Sequence, residues 1–178
     1  MKKNPERERV PQGRRLLLFY FERGTPLIVL LIFMALLFLI WPVEGLAFST
    51  EEELLFFIPK KDFDEFAIIY EHSVMRTEVK DVFALEKGEI LLLRTEYQSF
   101  GAGLPTEAHE SFRQVGDRFI NEGINQRIPK IRMRTGKTTD HRLIYNEDVQ
   151  IAFNDYVEAG SVILIEEKTM TTLESLFY

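Results

Sequence analysis

The chain has 178 residues, 46% of them hydrophobic and 12% aromatic, with 22 Lys+Arg, 28 Asp+Glu and no cysteine. That length holds one ordinary domain and an appendage, and the missing cysteines exclude disulfide scaffolds, thiolate metal sites, iron–sulfur ligation and cysteine nucleophiles. The net charge of −6 divides unevenly: residues 1–25 carry seven basic and three acidic groups, residues 26–43 none, and the rest fifteen basic and twenty-five acidic, so a head of +4 precedes an apolar bar and a body of −10.

The bar reads PLIVLLIFMALLFLIWPV from Pro26 to Val43. As a helix it covers roughly 27 Å, about the hydrocarbon thickness of a bilayer. We therefore expect a single N-terminal transmembrane helix over 26–43, with Pro26, Leu30, Phe33 and Leu37 along it and Trp41 at an interface, where an aromatic ring with a polar N–H is at home. Arg14, Arg15 and Arg23 flank the other end, and the Lys/Arg excess predicts a basic cytoplasmic segment over 1–25 and a body outside the cytoplasm, in a single-pass protein of the cell membrane. Leu16–Phe21 is too short to span and reads as an interfacial lead-in. A cleaved signal peptide competes: Gly45-Leu46-Ala47 has small residues at the right spacing, and Pro42 breaks a helix just before them. The apolar and basic segments are both long for a leader, so retention is the leading reading, and either way 48–178 is an extracytoplasmic β-rich domain. Glu51-Glu52-Glu53, so soon after the bar, would be repelled by anionic headgroups and lift the domain off the surface.

In the body the apolar pattern is mostly of period two, which predicts strands. Leu54–Ile58 is a short run ended by Pro59, followed by a charged connector over 60–65. In Phe66–Val74 one face carries Phe66, Ile68, Tyr70, His72 and Val74. Val79–Leu85 and Glu89–Tyr97 form a hairpin around Glu86-Lys87-Gly88. Ser99–Asn125, broken by Gly101, Gly103, Pro105, Gly116 and Gly123, predicts a long loop with a helical turn from Glu107. Lys130–Thr135 alternates, with Ile131 and Met133 inward, and turns at Gly136-Lys137-Thr138 into a strand over Arg142–Tyr145. Asn146 is a fair N-cap for a helix over Glu147–Glu158, with Gly160 suited to end it. Ser161–Glu167 is the last strand, and the tail ends in Leu176-Phe177-Tyr178, apolar enough to dock on something. The expected fold is mainly β: a single antiparallel β-sandwich-like or barrel-like domain with one short helix, preceded by the transmembrane helix.

Two segments, Tyr70-Glu71-His72-Ser73-Val74 continued by Arg76-Thr77-Glu78-Val79, and Ser99-Phe100-Gly101-Ala102-Gly103-Leu104-Pro105, lie in order on either side of the hairpin. They resemble a family of small bacterial exported domains of unknown function, often encoded beside TAXI-type TRAP transporters, the tripartite carriers that use an extracytoplasmic solute-binding protein. Glu78 stands where members of that family commonly carry proline. The resemblance implies a membrane-tethered or exported accessory protein with a β-sandwich-like fold, and it transfers no catalytic residue.

The candidate ligand- or partner-binding residues are His72, Ser73, Tyr97, Ser99, Phe100, Gly101, Gly103 and Pro105. By parity His72 faces inward, which suits a satisfied core histidine, a binding group at a sheet end or a base. Ser73 points the opposite way, so His72 is not set to activate it. Gly101-Ala102-Gly103 suits either a tight turn or an anion-accepting backbone nest. Arg127, Lys130, Arg132 and Arg134 are a basic row in an acidic body, read as a solvated edge or as a contact for anionic headgroups or an acidic partner. His72, His109 and His141 are scattered, and Asp62/Asp64 lacks the Gly and Glu of a calcium loop, so neither metal nor cofactor is expected. Nucleic acid does not fit a body of −10. The expectation is a non-enzymatic accessory protein that serves a permease or solute-binding protein in the membrane; a small-molecule-binding module and an envelope hydrolase are the alternatives.

Overall fold

The computed structural model describes residues 12–72, 75–99, 111–146 and 149–178, with side chains from Thr25 onward apart from that of Ser111. The chain divides into two compact units between Trp41 and Pro42.

The first unit contains α1, Gln12–Leu39, with Pro26 inside it. From Leu27 to Trp41 every large apolar side chain except Leu39 is exposed, Trp41 at 66%. Among the described residues no helix is long and apolar enough to cross a membrane. The helix also stops short of the end of the apolar bar. Proline disfavours helical backbone in the residue before it and brings no N–H of its own, and Pro42 and Val43 begin a strand instead.

The described residues of the second unit form eleven strands: β1 Pro42–Ser49, β2 Leu54–Pro59, β3 Glu65–Glu71, β4 Glu78–Glu86, β5 Glu89–Tyr97, β6 Ser111–Val115, β7 Arg118–Ile128, β8 Lys130–Arg134, β9 Arg142–Tyr145, β10 Val149–Ala152 and β11 Val162–Thr171, followed by the short helix α2, Thr172–Ser175. They form two antiparallel sheets, ordered β2-β1-β11-β8 and β10-β9-β3-β4-β5-β7-β6. Neither closes on itself, so of the two expected β architectures the molecule takes the open, sandwich-like one.

The core lies between the sheets. Leu46, Phe48, Ile163 and Ile165 from one meet Phe66, Ile68, Phe83, Ile90 and Leu143 from the other, all nearly or wholly buried. Aromatic rings supply much of the volume: Phe48 stacks on Phe56 at 4.4 Å, and Phe66 on Phe83 at 5.2 Å. Each such side chain contributes roughly 1.5–3 kcal/mol relative to exposure. β1 is an interior strand, paired along its length with β11 and, from Gly45, with β2. Glycine is required at 45 because a Cβ there would lie 2.3 Å from the Ile58 carbonyl oxygen and 2.6 Å from Phe57 Cζ. The β unit thus begins at Pro42 rather than at 48, and the two small residues that mimic a cleavage site have packing roles, Ala47 being buried beside Phe57 and Met170.

The Glu86-Lys87-Gly88 hairpin forms as expected, with φ of 52° at Lys87 and 83° at Gly88, both in the region a two-residue hairpin turn needs. Three expectations are corrected. From Ser111 onward the expected loop is strand: β6 and β7 pair with each other, and β7 lies against β5, while the helical turn expected from Glu107 lies outside the described residues. Its polar, glycine-broken pattern hides an irregular β7, where residues 123–125 lie opposite Leu93 alone and Gly123 and Asn125 take positive φ. The helix over Glu147–Glu158 is replaced by β10 and a 3₁₀ turn over Phe153–Asp155. Asn146 does not cap it: φ there is 53°, and its side-chain amide donates to the Asp62 carbonyl oxygen. Among the described residues the one short α-helix is α2. The acidic turn Glu51–Glu53 lies past the end of β1 opposite Pro42, at the far side of an eight-residue strand that spans roughly 23 Å.

Candidate functional site

The inner face of the seven-stranded sheet changes character along its strands. Near Phe66 and Phe83 it is apolar, but the next rows are mixed. Ile68, Asp81, Thr95, Asn121 and Phe112 are successive cross-strand partners over β3, β4, β5, β7 and β6. The adjacent row runs Tyr70, Val79, Tyr97 and Phe119. Directly opposed residues point to the same side of a sheet, so Asp81 stands among Tyr70, Thr95 and Asn121 on the face that elsewhere builds the core.

Asp81 is the charged member of this group. Thr95 Oγ1 donates to Asp81 Oδ1 at 2.7 Å, and the Tyr70 hydroxyl is close enough to feel the same carboxylate. Burial raises the Asp81 carboxyl above the ordinary carboxylate range, and its interactions with Thr95 and Tyr70 oppose that shift only in part. Tyr70 is pushed far above the ordinary phenol range by burial and by the Asp81 charge, which keeps it a donor. His141 stacks on Tyr70 with ring centres 5.5 Å apart, and its Nδ1 lies 3.0 Å from Thr139 Oγ1. Burial lowers the His141 pKa, partly offset by Asp140, so the imidazole is neutral near pH 7. Thr95 and Asn121 are buried, at 3% and 0% exposed. The result is a half-buried carboxylate near a phenol that is itself stacked on a neutral imidazole, a polar cluster on an otherwise apolar face.

Some of the sequence-expected residues gather at this end. Tyr97 is fully buried with Val79, packed by Tyr70 and Phe119. His72 lies just past β3 rather than in the core: its Nδ1 accepts from the Met75 N–H at 3.3 Å, and its own N–H donates to the Thr77 carbonyl at 2.8 Å, which shapes the turn into β4. Ser99 Oγ and Thr77 Oγ1 share a hydrogen bond of 2.8 Å, tying the end of β5 to that turn. Ser73, Phe100, Gly101, Gly103 and Pro105 lie outside the described residues.

The basic row is not brought together as one free patch. Arg127 belongs to the seven-stranded sheet and meets Glu89 at 2.7 Å, while Lys130, Arg132 and Arg134 line the edge strand β8 of the other sheet. Lys130 meets Glu166 at 2.6 Å and Arg132 meets Glu51 at 3.0 Å. On the outer face of the large sheet, Glu78 holds Arg118 at 2.8 Å and Arg142 at 3.2 Å. A hollow of about 630 Å³, lined by Pro59, Lys61, Asp62, Asp64, Tyr145 and Asn146, lies apart from these groups. It brings no buried carboxylate into contact with donors, so the Asp81 cluster is the stronger candidate. Among the described residues no group of three or more His, Asp or Glu side chains is arranged to hold a metal ion.

The sequence reading missed Asp81, Thr95, Asn121 and His141. One signal was available: Val79, Asp81, Phe83 and Leu85 share a face of one strand, so a charge sits at an otherwise apolar position.

Residues 66–151 match the family described as a domain of unknown function (DUF1850). The matched span covers almost the whole seven-stranded sheet and β8, and leaves out β1, β2 and β11. That agrees with a likeness to an uncharacterised family, and the description carries no activity. No curated protein and no solved structure matches the chain.

Proposed function

We propose that this chain is a membrane-anchored, extracytoplasmic accessory protein without enzymatic activity, which presents its β unit to the permease or solute-binding protein of a TAXI-type TRAP transporter. The observation that carries the reading is the run of exposed apolar side chains from Leu27 to Phe38 on a helix, continued by Ile40 and Trp41 up to the first strand. Such a surface is costly in water and is at home in lipid. The +4 head and −10 body supply the orientation, N-terminus inside and β unit outside. The resemblance carried by the segments around His72 and Ser99 supplies the transporter.

The test is recovery of partners. Tagged full-length chain, solubilised in mild detergent from its native host, should bring down a permease or its solute-binding protein; recovery of the chain alone refutes the accessory role. A second reading, a small-molecule-binding module, is favoured by the Asp81 cluster. It expects a small polar or cationic solute to raise the melting temperature of the full chain in detergent, since a ligand at 100 times its Kd contributes about 2.7 kcal/mol. Asp81→Asn should abolish that rise.

A further inference from the structure

The apolar side chains after β11 remain exposed. Leu173, Leu176, Phe177 and Tyr178 are 45%, 72%, 78% and 53% exposed, although the backbone that carries them is held in a set direction. Thr171 caps α2 with a capping box: its Oγ1 accepts from the Glu174 N–H at 3.2 Å, while Glu174 Oε2 accepts from the Thr171 N–H at 2.8 Å. The helical path continues as the Leu176 and Phe177 N–H groups donate to the Leu173 and Glu174 carbonyls. An ordered turn that offers Leu, Phe and Tyr side chains to solvent is a contact surface in search of an apolar neighbour.

The register says which neighbour. Thr171, the cap of that turn, is the cross-strand partner of Pro42, and Met170 is the partner of Val43. The tail therefore leaves the sheet at the end where the apolar segment enters it. Only Ile40 and Trp41 separate Leu39 from Pro42, so a helix end at the bilayer boundary keeps Pro42 within roughly 11 Å of that boundary. The chemistry agrees: phenyl and phenol rings, like the indole of Trp41, favour the headgroup level of a membrane.

We propose that Leu173, Leu176, Phe177 and Tyr178 form an interfacial membrane contact, a second point of attachment that holds the Pro42 end of the small sheet against the outer surface of the bilayer. This rests on the anchored reading above, and adds to it that the β unit lies on the membrane rather than swinging free of it. The acidic turn at Glu51–Glu53 is at the opposite end of β1, away from anionic headgroups.

The test uses the full chain reconstituted in vesicles of phosphatidylcholine and phosphatidylglycerol. The chain has one tryptophan, so Trp41→Phe clears the background and Phe177→Trp installs a reporter on a side chain that nothing covers; Tyr178→Trp is the second choice if the first variant folds poorly. Anchoring is read separately, as resistance of the vesicle-bound protein to carbonate extraction. The expected result is carbonate resistance, with a blue-shifted indole that loses about half its emission to lipids brominated near the headgroup end of the acyl chains, as an interfacial ring does. Carbonate resistance with red, unquenched emission overturns the second contact and leaves the anchor standing. A blue-shifted indole that brominated lipid does not quench means that the tail packs on protein, a second copy or a partner, and also overturns it. Extraction by carbonate removes the anchored reading, and this proposal with it.

Discussion

Gly45→Ala tests whether the start of β1 is shaped by packing or by processing. Replacing a strand glycine whose φ is not positive ordinarily raises stability, by limiting the unfolded chain. Here the new methyl would lie 2.3 Å from the Ile58 carbonyl oxygen, 2.6 Å from Phe57 Cζ and 2.9 Å from Pro59 Cα. Two of those atoms are backbone of the paired strand β2, and Phe57 is itself 6% exposed, so nothing at the tip of a flexible side chain can yield. Overpacking of this kind costs about 1–3 kcal/mol, and the backbone contacts put it at the upper end, which for a unit of this size is a fall of roughly 10 °C in melting temperature. Thermal unfolding of the full chain in detergent reads it, with Gly116→Ala alongside as a control: nothing lies within 4 Å of a Cβ there, and φ is 63°, so that variant bears only left-handed strain of about 1 kcal/mol. A signal peptidase accepts alanine at that spacing as readily as glycine, so a processing role expects no change in stability. An unchanged or raised melting temperature in Gly45→Ala would refute the packing account of β1.

Asp81→Asn should alter how stability depends on pH. Because burial raises the native Asp81 pKa, the folded chain holds a proton there at pH values where the unfolded chain has released it. Stability contributed by this site therefore falls as pH rises from the ordinary carboxylate value through the raised one, and is level above it. The substitution should flatten that part of a plot of melting temperature against pH, and an identical slope in both proteins would count against a half-buried, proton-holding Asp81. Glu78→Ala strips the carboxylate from Arg118 and Arg142, groups about a third exposed, and should cost about 1 kcal/mol at low salt. Arg142 keeps an ion pair with Asp140, Nε to Oδ2 at 3.2 Å but without hydrogen-bond geometry, so the loss falls mainly on Arg118. The difference should shrink in 1 M salt, where the Debye length is about 3 Å; a salt-independent loss would mean that Glu78 acts by packing.

Regular strands bounded by strong turns were legible in the sequence, because parity and a glycine at positive φ specify them locally. β4, β5 and their Lys87-Gly88 turn are of this kind, as is β8 with Ile131 and Met133 turned inward. The candidate site was not, and the reason is a single register shift. Counted outward from Glu86 and Glu89, an unbroken hairpin pairs Asp81 with Arg94, which suggests a surface ion pair. An irregularity at Leu93 moves the partner to Thr95 and sends Arg94 to Glu65 and Glu96 on the other face. The same position is matched in β7 by two extra residues, since 123–125 lie opposite Leu93 alone, which is why an interior strand reads as a loop. The supposed helix over 147–158 failed for a related reason. Phe153, Tyr156 and Val157 have helical spacing, but Phe153 is buried in the core and Tyr156 is tilted over Phe56, contacts that a 3₁₀ turn after a short strand satisfies.

The pairing of β1 bears on what becomes of the apolar segment. Cleavage after Ala47 would remove six of the eight residues of an interior strand, with Leu46 among them, and leave β2 and β11 joined through Phe48 and Ser49 alone. Losing a buried leucine costs about 2–5 kcal/mol by itself, and a domain has only about 5–15 kcal/mol in all. A stable β unit therefore needs Pro42–Ala47, and Pro42 follows the helix by two residues. The strand that completes the sheet and the segment proposed as anchor are in this sense one element: a cut that frees the body from the membrane must either spare Pro42 or unmake the small sheet.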